Sequence, residues 1–258
     1  VKLQDWKATK SKILLIGESG TGKSSQAATI ARVAKKVWVA SFDAGVASMK
    51  STLLRTGLKD VDIEVDTFIE IDRKVPSAYK NFLKVFGERK TQGFDAYVFD
   101  NISFFSQAIF DDIVAVNNLV DKPYGDSTFH MYRLLADKMK DVITNAIMLS
   151  NYVVCTALPL WEKDDNSGEM HVFPLVEGKF RQSLPAWFDE LYYTVTSTDT
   201  KTGKPVYQML TAPQGKYVAK SRWGGAVLKP VEDRDLGEIV QVITAAHEPQ
   251  VAKEVVKQ

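Results

Sequence analysis

The chain has 258 residues, 45% of them apolar and 10% aromatic, enough for a full core and well outside the composition of a disordered segment. The 33 Lys and Arg against 32 Asp and Glu leave a formal charge of +1, so no global basic field advertises a nucleic acid and any such contact must come from a local patch. A lone Cys155 in the apolar run Tyr152–Cys155 excludes an internal disulfide; with no run of membrane length and no signal-like start at Val1–Asp5, the expectation is a soluble, cytoplasmic protein.

The N-terminal two-thirds alternates short apolar runs with amphipathic stretches, the pattern of parallel βαβ units. After a lead-in over residues 1–11, Lys12–Ile16 reads as the first strand and ends at Gly17. Ala27, Ile30, Ala31 and Ala34 follow at helical spacing, so a helix leaves the glycine-rich segment directly. Val37–Phe42 reads as a second strand, placed beside the first in the sheet and closing on Asp43-Ala44-Gly45. A short helix, a strand near Ile63–Ile71 and a helix over Ser77–Arg89 come next, and then a strand over Ala96–Phe99 ending at Asp100.

Two helices follow, with Phe105, Ile109, Ile113, Val116 and Val120 on one face of the first and Met131, Leu135, Met139, Val142 and Ala146 on one face of the second. A turn over Asp121–Asp126 separates them, and Asn151–Ala157 is a further buried strand. Glu162–Gly168 reads as a loop or hairpin tip. Glu190–Thr196 and Pro205–Thr211 form a predicted hairpin, with another strand through Tyr217–Lys220. Asp235 with Glu238 three residues on predicts a capped closing helix that buries Leu236, Ile239, Val240 and Ile243, before a frayed tail over 247–258.

The segment Gly17-Glu18-Ser19-Gly20-Thr21-Gly22-Lys23-Ser24 fits G-x-x-x-x-G-K-[ST] at every position, between a strand and a helix. The pattern arises by chance in a chain this long roughly once in a hundred times, and the context cuts that further. Its chemistry is that of a phosphate cradle. The glycines let successive N–H groups point inward, the helix adds its positive end, and Lys23 reaches the β- and γ-phosphates. The Ser24 hydroxyl ligates Mg²⁺, and Ser25 extends the cradle. ATP with Mg²⁺ is the implied ligand.

A magnesium site also needs a carboxylate at the end of a neighbouring strand, and Asp100 after Tyr97-Val98-Phe99 supplies one. Asn101 stands where AAA+ ATPases usually carry the catalytic glutamate, which argues against that subgroup and leaves the catalytic base unassigned. Asp43 has two readings, a group orienting the attacking water and a turn aspartate before Gly45. His130, His171 and His247 have no metal-ligand spacing.

Four segments in order, Gly17–Ser24, Phe42–Gly45, Tyr97–Asn101 and Tyr217–Arg222, resemble the RecA-like ATPases of bacteriophages, some of which act as Sak-type single-strand annealing recombinases. The likeness runs from Lys12 to the last helix. It implies an α/β RecA-like P-loop core over the whole chain as one domain. The central sheet is then mostly parallel and flanked by helices, with an antiparallel extension over 158–230. It also implies a homo-oligomer with ATP between subunits and ATP-linked action on single-stranded DNA, in recombination or replication. RecA-like proteins carry a glutamate near the strand beside the loop strand; here only Asp43 is on offer, so hydrolysis is slow or Asp43 substitutes. Lys220 and Arg222 match a Lys-x-Arg that such proteins place across the subunit interface, where a cation in trans stabilises charge during phosphoryl transfer. The alternative is a solvated basic strand end.

For DNA, Trp161, Lys163, His171, Phe173, Lys179 and Arg181 provide the stacking rings and cations that single-strand binding requires, although Glu162, Asp164, Asp165 and Glu169 dilute the charge. Taken alone, that segment reads more readily as a hairpin whose aromatics pack on the core. Two rivals stand beside the ATPase: a small-molecule P-loop kinase with Arg73–Ser77 as a short lid, and a nucleotide-binding switch with little hydrolysis.

Overall fold

The computed structural model describes residues 10–117, 128–164, 167–223 and 225–247. Strand β1 (Lys12–Ile16) is buried along its whole length, which is why it reads as an apolar run after Lys12. Ile13 and Leu15 face one side of the sheet while Leu14 and Ile16 face the other, so β1 feeds two separate apolar cores. The strands β2 (Lys36–Ser41), β3 (Asp62–Thr67), β4 (Ala96–Asp100) and β5 (Tyr152–Ala157) are all parallel to it.

The order across the sheet corrects one expectation. β1 pairs with β5, β5 with β4, β4 with β2, and β2 with the edge strand β3. The second strand is thus three places from the first, and the strand that ends at Asp100 is two places away, with β5 between. The cause is the run of two long helices after β4, which returns the chain into the gap beside β1.

Helix α1 (Lys23–Ala28) is shorter than the apolar spacing predicted. It tightens into a 3₁₀ turn over Thr29–Arg32, so Ile30 and Ala31 are buried from a different helical pitch. Helix α2 (Val46–Thr56) follows β2. Helices α3 (Ala78–Arg89), α4 (Ile102–Val116) and α5 (Thr128–Ile147) lie over the face that carries Trp38, Phe99 and Cys155. There Phe42, Phe82, Phe86, Phe99, Phe105 and Trp38 form one aromatic network with ring centroids 4.7–6.4 Å apart. The expected turn at Asp121–Asp126, Val120, and the tail beyond His247 lie outside the described residues.

β6 (Pro159–Lys163) and β7 (Met170–Pro174) form the expected hairpin. A short helix, α6 (Phe180–Ser183), leads to β8 (Glu190–Thr198), which is parallel to β1 on the side away from β5. Only beyond it does the sheet turn antiparallel, through β9 (Pro205–Leu210), β10 (Lys220–Ser221) and β11 (Val231–Glu232). The strand expected over Tyr217–Lys220 shrinks to β10, because Tyr217 turns back on Gln214 in an isolated bridge. The closing helix α7 (Leu236–His247) starts as predicted. The Glu238 N–H donates to Asp235 Oδ1 (2.9 Å) and the Asp235 N–H to Glu238 Oε2 (3.1 Å). Its apolar face covers the second core, with Leu236, Ile239, Val240 and Ile243 buried.

Candidate nucleotide site

The segment Gly17–Ser24 leaves the end of β1 and enters α1. Gly20 and Gly22 take positive φ (80° and 87°), the backbone a side chain resists and the curled loop requires. Gly17 is glycine for space: a methyl group there would stand 2.0 Å from Thr194 Oγ1 and 2.8 Å from the Thr194 carbonyl. β8 therefore closes down on the loop, and the hydroxyls of Thr21 and Thr194 are 2.7 Å apart.

Lys23 is buried, with its ammonium donating to the Gly17 (2.7 Å) and Glu18 (2.8 Å) carbonyls. Burial lowers its pKa, against the opposing pull of Asp100, Asp43 and Glu18. An anion in the loop would take over those ammonium protons and relieve that desolvation.

Asp100 ends β4 and is 1% exposed. Thr156, on the intervening strand β5, donates its hydroxyl to Asp100 Oδ1, while Oδ2 is buried with no hydrogen-bond partner among the described residues. Burial raises the Asp100 pKa; Asp43 pushes the same way, and Thr156, Ser24 and Lys23 oppose. The Ser24 hydroxyl faces Oδ2 without completing a well-formed bond, so geometry leaves that oxygen free to take a cation.

Gly45 explains how the oxygens gather. A methyl group on it would lie 2.8 Å from both Asp100 Oδ2 and Asp43 Oδ1, and 3.0 Å from Ser24 Oγ. A hydroxyl and two carboxylates thus converge on one glycine. The set suits Mg²⁺, a hard ion that takes few protein oxygens and fills its shell with water and phosphate. Ser24 and Asp100 would hold it, with Asp43 behind them.

Asp43 reaches the site from a strand three places away because Asn101 ties it there. The Asn101 amide donates to Asp43 Oδ2 (2.6 Å), while its Oδ1 caps α4 by accepting from the Ser103 and Phe104 N–H groups (3.1 Å each). Asp43 Oδ1 accepts from the Gly45 N–H (2.7 Å). Asn101, whose sequence context assigns it no role of its own, is the joint between two strand ends. Thr156 and Thr194 gave no sequence signal at all; strand order alone makes them visible.

Ser19, Gly20, Gly22, Ser24, Ser25 and Asp43 are among the residues lining one cavity of about 980 Å³ over the loop. At the loop's tip the Trp161 indole N–H donates to Glu18 Oε1 (2.9 Å).

These features fit a known group of proteins. The sequence matches the AAA domain family over residues 9–223. The chain belongs to that family. No curated protein matches it. Among solved structures, the AAA domain is similar to the flagellar accessory protein FlaH from Methanocaldococcus jannaschii. The identity is 15% and the TM-score 0.45, over 86% of this chain and 84% of that one. It is also similar to an ATPase of the type III secretion system of pathogenic bacteria, at 13% identity and a TM-score of 0.48, over 91% of this chain and 62% of that one.

The other sequence candidates lie elsewhere. β10 pairs with Leu191 and Glu190, the start of β8, whereas the loop follows Ile16 opposite Tyr193. Lys220 is therefore about 10 Å, and Arg222 about 17 Å, along the strands from their own loop. Arg222 is half-exposed and bonds to Asp189 Oδ1 and the Ala186 carbonyl, 3.2 Å each. Burial and the Arg222 charge lower the Lys220 pKa. Arg181 is paired with Glu162, and Arg73 with Asp111 at 3.5 Å. Trp161 packs edge-on against Tyr217, with Lys216 Nζ 4.4 Å from its ring centroid. Among the described residues, no helix is long and apolar enough to cross a membrane.

Proposed function

We propose that this AAA domain is a Mg²⁺-dependent ATPase of the phage RecA-like type, working as a multimer on single-stranded DNA in recombination or replication. The observation that carries the nucleotide chemistry is the buried, unpartnered Asp100 Oδ2 facing Ser24 across Gly45. Magnesium bound there would neutralise phosphate charge. Lys23 would move from the loop carbonyls onto the phosphates, Thr156 would hold the Asp100 carboxylate in line, and Asp43 would orient the attacking water. Each Asp43 oxygen already accepts one hydrogen bond from the chain, which fixes the carboxylate while leaving lone pairs for a water.

The multimer reading draws on Lys220 and Arg222, which stand too far from their own loop to serve it and would act only on a neighbour's nucleotide. DNA is supported by Trp161, Tyr217 and Lys216, rings and a cation grouped beside the loop's Glu18. The test is steady-state ATP hydrolysis with and without single-stranded DNA, with Lys23→Ala as the blank. Turnover that rises with DNA and vanishes in the variant is expected; turnover indifferent to DNA sinks the DNA reading, and turnover that survives in the variant sinks the ATPase reading.

A further inference from the structure

The cavity over the loop has two unlike sides. Strand order puts the ends of β4 and β2, with Asp100, Asn101 and Asp43, on one flank of β1, and β8 and β9 on the other. At about 4.8 Å per strand, β4 and β9 stand about 10 Å to either side. The carboxylates that suit a metal, Asp100 and Asp43, are both on the first flank. The loop runs between. A nucleotide whose triphosphate lies in the loop with its γ end toward Asp100 must carry its sugar and base toward β9.

The lining residues on that flank are Tyr207, Gln26, Asp233 and Asp235. Three of these are held by the protein itself. Gln26 Oε1 accepts from the Leu236 N–H (3.0 Å), Asp235 is bonded to Arg32, and Asp233 Oδ1 accepts from Gln208 (2.7 Å). Tyr207 is different. Its ring lies against Gly22, with Cδ1 3.2 Å and Cε1 3.7 Å from where a side-chain carbon there would be, and the residue is 39% exposed. No hydrogen bond is seen for its hydroxyl among the described residues. An aromatic ring whose Cδ1 side rests against the glycine at the N-terminus of α1, and which is open to the cavity, offers a stacking platform. The Gln208–Asp233 bond next to it pins strand β9 to the segment before α7, which fixes where the ring sits.

We propose that Tyr207 seats the base of the nucleotide and so sets the affinity for nucleotide over bare polyphosphate. This rests on the ATP reading above. Strand β9 then has a binding role: it closes the nucleotide site from the antiparallel side. Stacking needs the ring and not the hydroxyl, because every base has a π-face.

The test is calorimetric titration of the full chain with Mg–ATP and, separately, with Mg–tripolyphosphate, which has the phosphates and no base. Tyr207→Ala is expected to weaken ATP roughly ten- to a hundred-fold while leaving tripolyphosphate unchanged, and Tyr207→Phe to behave as wild type. ATP affinity unchanged in Tyr207→Ala overturns the proposal. So does an equal loss for both ligands, which would mean that Tyr207 only props the loop at Gly22. Wild-type protein that binds neither ligand would instead remove the nucleotide reading, and this proposal with it.

Discussion

Replacing Asp100 by Asn should make the nucleotide-free protein more stable while removing its response to magnesium. The carboxylate is buried; Thr156 satisfies one oxygen, and the other faces Ser24 and Asp43 with no bond. An unsatisfied buried acceptor costs about 1–3 kcal/mol, and more when it is charged. Asparagine keeps the oxygen that Thr156 bonds and puts an N–H₂ where the orphan was, facing two acceptors. The gain of about 1–3 kcal/mol converts to a melting point raised by roughly 2–10 °C for a domain of this size. The assay is a thermal melt in EDTA, repeated with Mg–ATP. Wild type should rise with ligand by mass action, and Asp100→Asn should start higher and barely move. A variant that melts lower than wild type in EDTA would refute the reasoning. It would mean that Thr156, Ser24 and the Lys23 charge already outweigh the burial.

Gly17→Ala should cost about 1–3 kcal/mol by driving a methyl group into Thr194, and should abolish ATP binding because the loop must leave β8; a denaturant melt and a binding titration check both. Glu190 is fully buried, accepts from Tyr192 Oη (2.6 Å) and the Trp223 N–H (3.1 Å), and has its pKa raised by burial. The fold therefore holds a proton there that the unfolded chain releases, so its contribution is full below about pH 4.5 and is lost as pH rises through the folded pKa. The stability difference between Glu190→Gln and wild type should widen in the variant's favour from pH 4.5 upward, and a flat difference would contradict this. Arg222→Ala should leave ATP affinity unchanged yet lower turnover, and mixing it with Lys23→Ala protomers should restore part of the rate if the cation acts across an interface.

Much of this was legible in the sequence because the informative features were local. The strand β1, the loop Gly17–Ser24 and the Asp235–Glu238 capping box are each specified by a few adjacent residues, and each stands as predicted. What failed was long-range. Nothing local says that β5 returns between β1 and β4, so the local pattern sets Asp43 beside the loop strand, whereas it arrives from three strands away. α1 is shorter than the helical period of Ala27, Ile30, Ala31 and Ala34 predicts, because a 3₁₀ turn over Thr29–Arg32 buries Ile30 and Ala31 just as well. The site's supporting residues were hidden for the same reason. Thr156, Thr194 and Tyr207 carry no motif, and acquire meaning only when their strands are set against the loop. Gly45 looked like a turn residue, and its absent side chain is what lets three oxygens meet.

The most direct test of the account is ATP affinity by titration calorimetry in Mg²⁺ and in EDTA, on wild type and Lys23→Ala. The account predicts saturable binding in wild type that weakens markedly without the metal and is lost in the variant. Binding that is equal in Mg²⁺ and EDTA, or that survives the loss of Lys23, would contradict it.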